Sequence, residues 1–135
     1  IKMLRDKTIK VDDLFYIIGR DDIESNSVVG KKRKSLNELS EGIDFSLPVF
    51  LIDHQPYKLH ETAKFAIDFQ FSGHTHSGQL WPFSLITKRI FEKDWGYLKK
   101  NNTHYYVSSG YGTSMMPIRI GTKSEIVNLR INNQE

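Results

Sequence analysis

The 135-residue sequence contains no cysteine. That excludes disulfides and thiolate metal sites, and leaves nitrogen and oxygen as the atoms that would hold any transition metal. No apolar run approaches the roughly 20 residues needed to span a bilayer. The opening residues Ile1–Asp6 do not form a signal peptide, and there are no internal repeats or low-complexity segments. Charge is also scarce on balance. The net +3 is matched in size by one run, Lys31, Lys32, Arg33 and Lys34. Such runs are ordinarily solvated loops, and this one lacks the interleaved aromatics of a single-strand binder, so nucleic acid is not an expected partner.

With 39% apolar and 26% charged residues, the chain has the composition of one globular domain or a part of one. It begins at an isoleucine without a leader, which reads as a processed or partial product. Runs at Thr8–Val11 and Leu14–Gly19, separated by Asp12-Asp13, predict a hairpin. Asp21–Lys34 reads as a surface loop. Ser35 and Glu38 have the spacing of a capping box, so a short helix is expected to follow and to end at Gly42.

Val49-Phe50-Leu51-Ile52 has the pattern of a strand buried on both faces, with His54 just past its end. Leu59, Ala63, Ala66 and Ile67 predict an amphipathic helix. Phe69 and Phe71 lead as a strand into Gly73, with His74 and His76 in the loop beyond. Phe83–Phe91 is compatible with a helix or an irregular lid. Tyr105–Ser108 and Glu125–Ile131 have strand composition, the latter with alternating Val127, Leu129 and Ile131. Strands mixed with short helices suit an α/β class.

Gly73-His74-Thr75-His76-Ser77-Gly78-Gln79 carries the sharpest chemical signal. Two imidazoles two residues apart can face one region, and the flanking glycines permit tight turning. His54 presents a third imidazole from a separate strand end, and ligand crevices in open α/β sheets form outside the carboxyl ends of strands. Three neutral imidazoles converging there would suit zinc, manganese or iron. His60 and His104 have no comparable context. Asp53 reads either as a partner orienting an imidazole or as a strand-end carboxylate. Gln79 reads either as a substrate contact or as a side chain satisfying loop amides. Arg119 reads as a phosphate partner or a surface residue, and Trp81-Pro82 and Tyr111 as an apolar wall by the site or as core.

Leu51-Ile52-Asp53-His54-Gln55-Pro56 resembles the H-x-P block of calcineurin-like metallophosphoesterases, and Phe71–Gln79 resembles their G-H-x-H block. The nearer likeness is to a bacterial subfamily whose block commonly reads G-H-T-H-G-G-Q, with Ser77 here in place of the first later glycine. Tyr106–Thr113, Pro117–Gly121 and Glu125-Ile126 also look like that subfamily's C-terminal end.

The resemblance implies the C-terminal half of a four-layer α/β/β/α sandwich, with residues 1–135 forming the C-terminal part of a single domain. It implies two divalent ions (manganese, zinc or iron), His54 and His74 on one and His76 on the other, and phosphomonoester, phosphodiester or pyrophosphate cleavage by a dimetal-activated hydroxide. A phosphorylated small molecule or lipid-like compound is the implied substrate, and a membrane-associated or cytoplasmic location is implied with it.

The family's D-x-H, G-D and G-N-H-D/E blocks do not occur in the chain, and Gly19-Arg20-Asp21-Asp22 is not expected to replace them. The expectation is therefore that the N-terminal half is missing, that the isolated chain is inert or nearly so, and that an exposed apolar face promotes homo-oligomers. The alternative is a non-catalytic scaffold or binding protein of the same fold.

Overall fold

The computed structural model describes residues 3–24, 30, 32–114 and 116–132. Lys31 of the basic run lies outside them. Six strands form one mixed sheet: β1 (Lys7–Val11), β2 (Phe15–Gly19), β3 (Val49–Ile52), β4 (Phe69–Ser72), β5 (Gly96–Lys100) and β6 (Thr103–Val107), in the spatial order β1-β2-β3-β4-β6-β5. β2, β3, β4 and β6 run parallel, and an antiparallel strand closes each edge. This agrees with the expected half of an α/β metallophosphoesterase-type sandwich.

Parallel pairing brings the carboxyl ends of four strands to one side. The register pairs Gly19 with Ile52, Ile52 with Phe71, and Ser72 with Val107. The loops after these residues therefore emerge together, and they build the site.

The hairpin turn is made by Asp12 and Asp13, both at positive φ (45° and 55°), which Asp tolerates better than most residues. Helix α1 (Leu36–Ser40) starts with the predicted capping box, as Ser35 accepts from the Glu38 amide while Glu38 accepts from the Ser35 amide. Its Leu36 and Leu39 pack on Ile18, Val49, Leu51 and Ile67 to form the core on one face of the sheet.

The helix expected from Leu59 to Ile67 is only the single turn α2 (Leu59–Thr62). Leu59 and Ile67 are buried, but Ala66 is exposed, and the chain leaves helical geometry to feed β4. Tyr105 anchors that turn by donating its hydroxyl to the Leu59 carbonyl at 2.9 Å.

β3 is not buried on both faces. Val49 and Leu51 are fully buried, whereas Phe50 is half-buried and Ile52 is 50% exposed. Phe15, Ile17, Phe50, Ile52, Phe69 and Phe71 line the second face, an open apolar groove. Val127, Leu129 and Ile131 lie along it. The strand expected at Glu125–Ile131 is therefore an irregular segment beside a sheet face instead of a partner in the ladder. β5 had no counterpart in the sequence reading. Phe83–Ile90 is a helix, α3.

Candidate active site

The four parallel strand ends enclose a cleft of about 600 Å³ lined by Arg20, Asp53, His54, His74, His76 and Ser109, among others. His54 follows β3, while His74 and His76 follow β4. His54 Nε2 and His74 Nδ1 lie 3.3 Å apart, with their rings edge to face. Two nitrogens each about 2.1 Å from one zinc-like ion at a tetrahedral angle are separated by about 3.4 Å, so this pair has the spacing of a shared ion.

Burial, then the neighbouring His54, lowers the His74 pKa from its ordinary value. Burial, then the Arg119 guanidinium, lowers that of His76. Both rings are therefore held in the neutral form that a metal requires.

His76 lines the same cleft, but the structure pairs it differently. Its Nδ1 is 3.2 Å from Arg119 Nη2. The adjacent guanidinium opposes a second divalent charge there unless carboxylates offset it. Among the described residues no group of three His, Cys, Asp or Glu side chains converges closely enough to hold an ion alone. The structure thus brings His54 and His74 together, with His76 beside them.

The loop carrying these rings is strained. His74, His76, Ser77 and Gln79 all have positive φ, from 49° to 68°. Such geometry persists only where surrounding contacts impose it. Thr75 supplies one, donating its hydroxyl to the Asp94 carbonyl from a buried position. Gly78 supplies another: a Cβ there would stand 2.3 Å from the Ser84 nitrogen, so only glycine allows α3 to pack on this turn.

The contacts of the other candidate residues are specific. Asp53 does not orient an imidazole; its buried carboxylate takes Arg20 Nη1 and Arg33 Nη1, each at 3.2 Å. Burial nevertheless pushes its pKa up, against the pull of Arg33 and Arg20. Arg33 is accordingly not part of a purely solvated run, although Lys32 and Lys34 are exposed. Gln79 serves the loop, its Nε2 lying 2.8–2.9 Å from the carbonyls of Ser114, Met116 and Ile118. The Arg119 guanidinium is directed at the carbonyls of Ser109, Gly110 and Gly112. Trp81 and Tyr111 are 66% and 75% exposed, so neither is core.

Asp22 is set aside in the sequence reading with Gly19-Arg20-Asp21-Asp22. Its Oδ2 lies 3.9 Å from His54 Nε2, and its Oδ1 accepts from the Gln55 amide at 3.0 Å. Asp22 follows β2 as His54 follows β3. Parallel pairing of those two strands was the signal that could have found it.

Curated relatives carry the same stretch. A Helicobacter pylori protein called an uncharacterized metallophosphoesterase is 41% identical over 90 residues, covering 65% of this chain and 24% of its own length. An Aquifex aeolicus metallophosphoesterase is 28% identical over 135 residues, covering 98% of this chain and 51% of its own. A Bos taurus transmembrane protein with a metallophosphoesterase domain is 32% identical over 122 residues, covering 87% and 28% respectively.

The chain is similar to the C-terminal part of metallophosphoesterases.

It matches the C-terminal part of these relatives and spans between about a quarter and a half of their length. No family model matches the chain, and no solved structure does. Within the matched stretch, the metal-compatible spacing falls on the two rings after β3 and β4.

Proposed function

We propose that this chain, as a metallophosphoesterase segment, supplies the histidine half of a two-metal phosphohydrolase site, which hydrolyses a phosphomonoester, phosphodiester or pyrophosphate. The observation that carries the reading is the 3.3 Å separation of His54 Nε2 and His74 Nδ1 across the mouth of the parallel strands. A scaffold has no need to hold two imidazoles at chelating distance, one of them on a strained loop, which disfavours the non-catalytic alternative.

His54 and His74 would hold one divalent ion, with the Asp22 carboxylate beside it, and His76 would contribute to a second. Bound divalent ions supply Lewis acidity and lower the pKa of water into the neutral range. The chain's own residues do the positioning. Thr75, Gly78 and Gln79 fix the loop that aims His74 and His76. The buried Asp53 with Arg20 and Arg33 fixes the end of β3 from which His54 projects. Bridging carboxylates would come from residues outside this chain.

The test is calorimetric titration of the chain with Mn²⁺ and Zn²⁺, alongside hydrolysis of bis(p-nitrophenyl) phosphate. We expect weak uptake of one ion, lost in His54→Ala and in His74→Ala, and no turnover. Turnover abolished by His74→Ala would refute the need for further ligands. Ion uptake unchanged in both variants would refute the site itself.

A further inference from the structure

Helix α3 (Phe83–Ile90) is amphipathic in the reverse sense for a surface helix. Its polar side faces the protein: Thr87 donates to Asp94 Oδ2 at 2.9 Å, and Ser84 packs on Gly78. Its apolar side faces outward, with Phe83, Leu85, Ile86 and Ile90 each at least half exposed and no residue of the helix buried. Trp81, just before the helix, and Trp95, just after Asp94, are 66% and 50% exposed.

The charge around this surface has one sign. Lys88 and Arg89 are exposed in the last turn, and Lys93 follows. Of the nearby acids, Asp94 is buried beneath Thr87, Glu92 is paired with Lys100, and Glu125 is taken up by Ser109, Trp95 and Tyr106. A short helix with apolar residues outward, flanking tryptophans and basic residues at its rim has the chemistry of a segment lying in the interface of an anionic bilayer.

We infer that α3 docks the protein on an anionic lipid surface, with Leu85, Ile86 and Ile90 entering the acyl boundary and Lys88 and Arg89 meeting the headgroups. Because Ser84 packs on the turn that begins at His76, the docked helix sets the histidine cleft beside the headgroup layer. The inference is read from binding, without turnover, so it stands or falls separately from the proposed hydrolysis.

The experiment is sedimentation of the intact chain with vesicles of phosphatidylcholine alone or mixed with phosphatidylglycerol, together with tryptophan emission. The chain's two tryptophans both border α3, so emission reports this surface directly. Leu85→Ser/Ile86→Ser and Lys88→Gln/Arg89→Gln are compared with the wild type, with circular dichroism confirming that each remains folded. These positions face solvent, so the fold does not depend on them.

We expect co-sedimentation and a blue shift with phosphatidylglycerol vesicles only. The apparent affinity should fall roughly tenfold or more in each double variant, and salt should weaken binding of the wild type. Absence of binding to the anionic vesicles overturns the proposal, as does binding undiminished by Leu85→Ser/Ile86→Ser. Vesicle-free self-association that those serines abolish overturns it in favour of a second copy of the chain.

Discussion

Asp53 and His54 are consecutive, yet their side chains serve opposite sides of the strand end. The carboxylate, 2% exposed, turns inward to Arg20 and Arg33, whereas the imidazole, 55% exposed, turns to the cleft and to His74. One residue fixes the strand end and the next uses it.

Removing Asp53 should therefore act first on stability. Asp53→Ala leaves two largely buried guanidiniums without their shared partner. Breaking a buried pair in this way costs about 3–5 kcal/mol. Urea denaturation of the variant should show a correspondingly lower midpoint, and a loss under about 1 kcal/mol would contradict the buried-network account.

Ser77 occupies a left-handed conformation, φ 52°, within the histidine loop. A non-glycine residue there carries backbone strain of about 1 kcal/mol or more, against which glycine loses some unfolded-state entropy. Ser77→Gly should raise stability by about 0.5–1 kcal/mol and leave ion uptake by His54 and His74 unchanged. A fall in thermal midpoint would show that the serine makes a contact outweighing its strain.

The strand ends and their histidines were legible in the sequence because apolar runs, glycines and prolines delimit β3 and β4 locally. The capping box at Ser35 and Glu38 was legible for the same reason. What escaped was set by distant pairing. Whether Phe50 and Ile52 are covered depends on what lies across the sheet. Whether Asp53 meets His54 or Arg20 depends on where β2 pairs. Asp22 became part of the cleft only through the Gly19–Ile52 register. Ala66 failed its helical expectation because α2 must stop early to let Phe69 enter the sheet.

Gln79 ties the histidine loop to Ser114, Met116 and Ile118. Its Nε2 faces three carbonyls, and its Oε1 accepts from the Ser114 amide. Gln79→Ala should cost about 1–2 kcal/mol by removing the buried amide that these carbonyls share. Gln79→Glu should cost at least as much at neutral pH, because a carboxylate replaces the donor facing those carbonyls. Equal stability of Gln79→Glu and wild type would assign the side chain to solvent or ligand instead.

Glu125 holds the C-terminal segment against the end of β6. Its Oε1 accepts from the Ser109 amide at 2.8 Å and from the Trp95 indole at 3.2 Å, and its Oε2 accepts from Tyr106 at 3.2 Å. Burial works to raise its pKa, but donation from Ser109, Trp95, Ser108 and Tyr106 outweighs it, so the pKa lies below the ordinary 4.5. A folded-state pKa below the unfolded one means the ionised form favours folding. The stabilisation is complete above the unfolded pKa and disappears as the pH falls through the folded one. Trp95 loses its acceptor at that point, so tryptophan emission of a Trp81→Phe background should show a transition centred below pH 4.5. In Glu125→Gln the transition should vanish, with the emission at neutral pH already shifted. A transition that persists unchanged in Glu125→Gln would assign the acid sensitivity to another carboxylate.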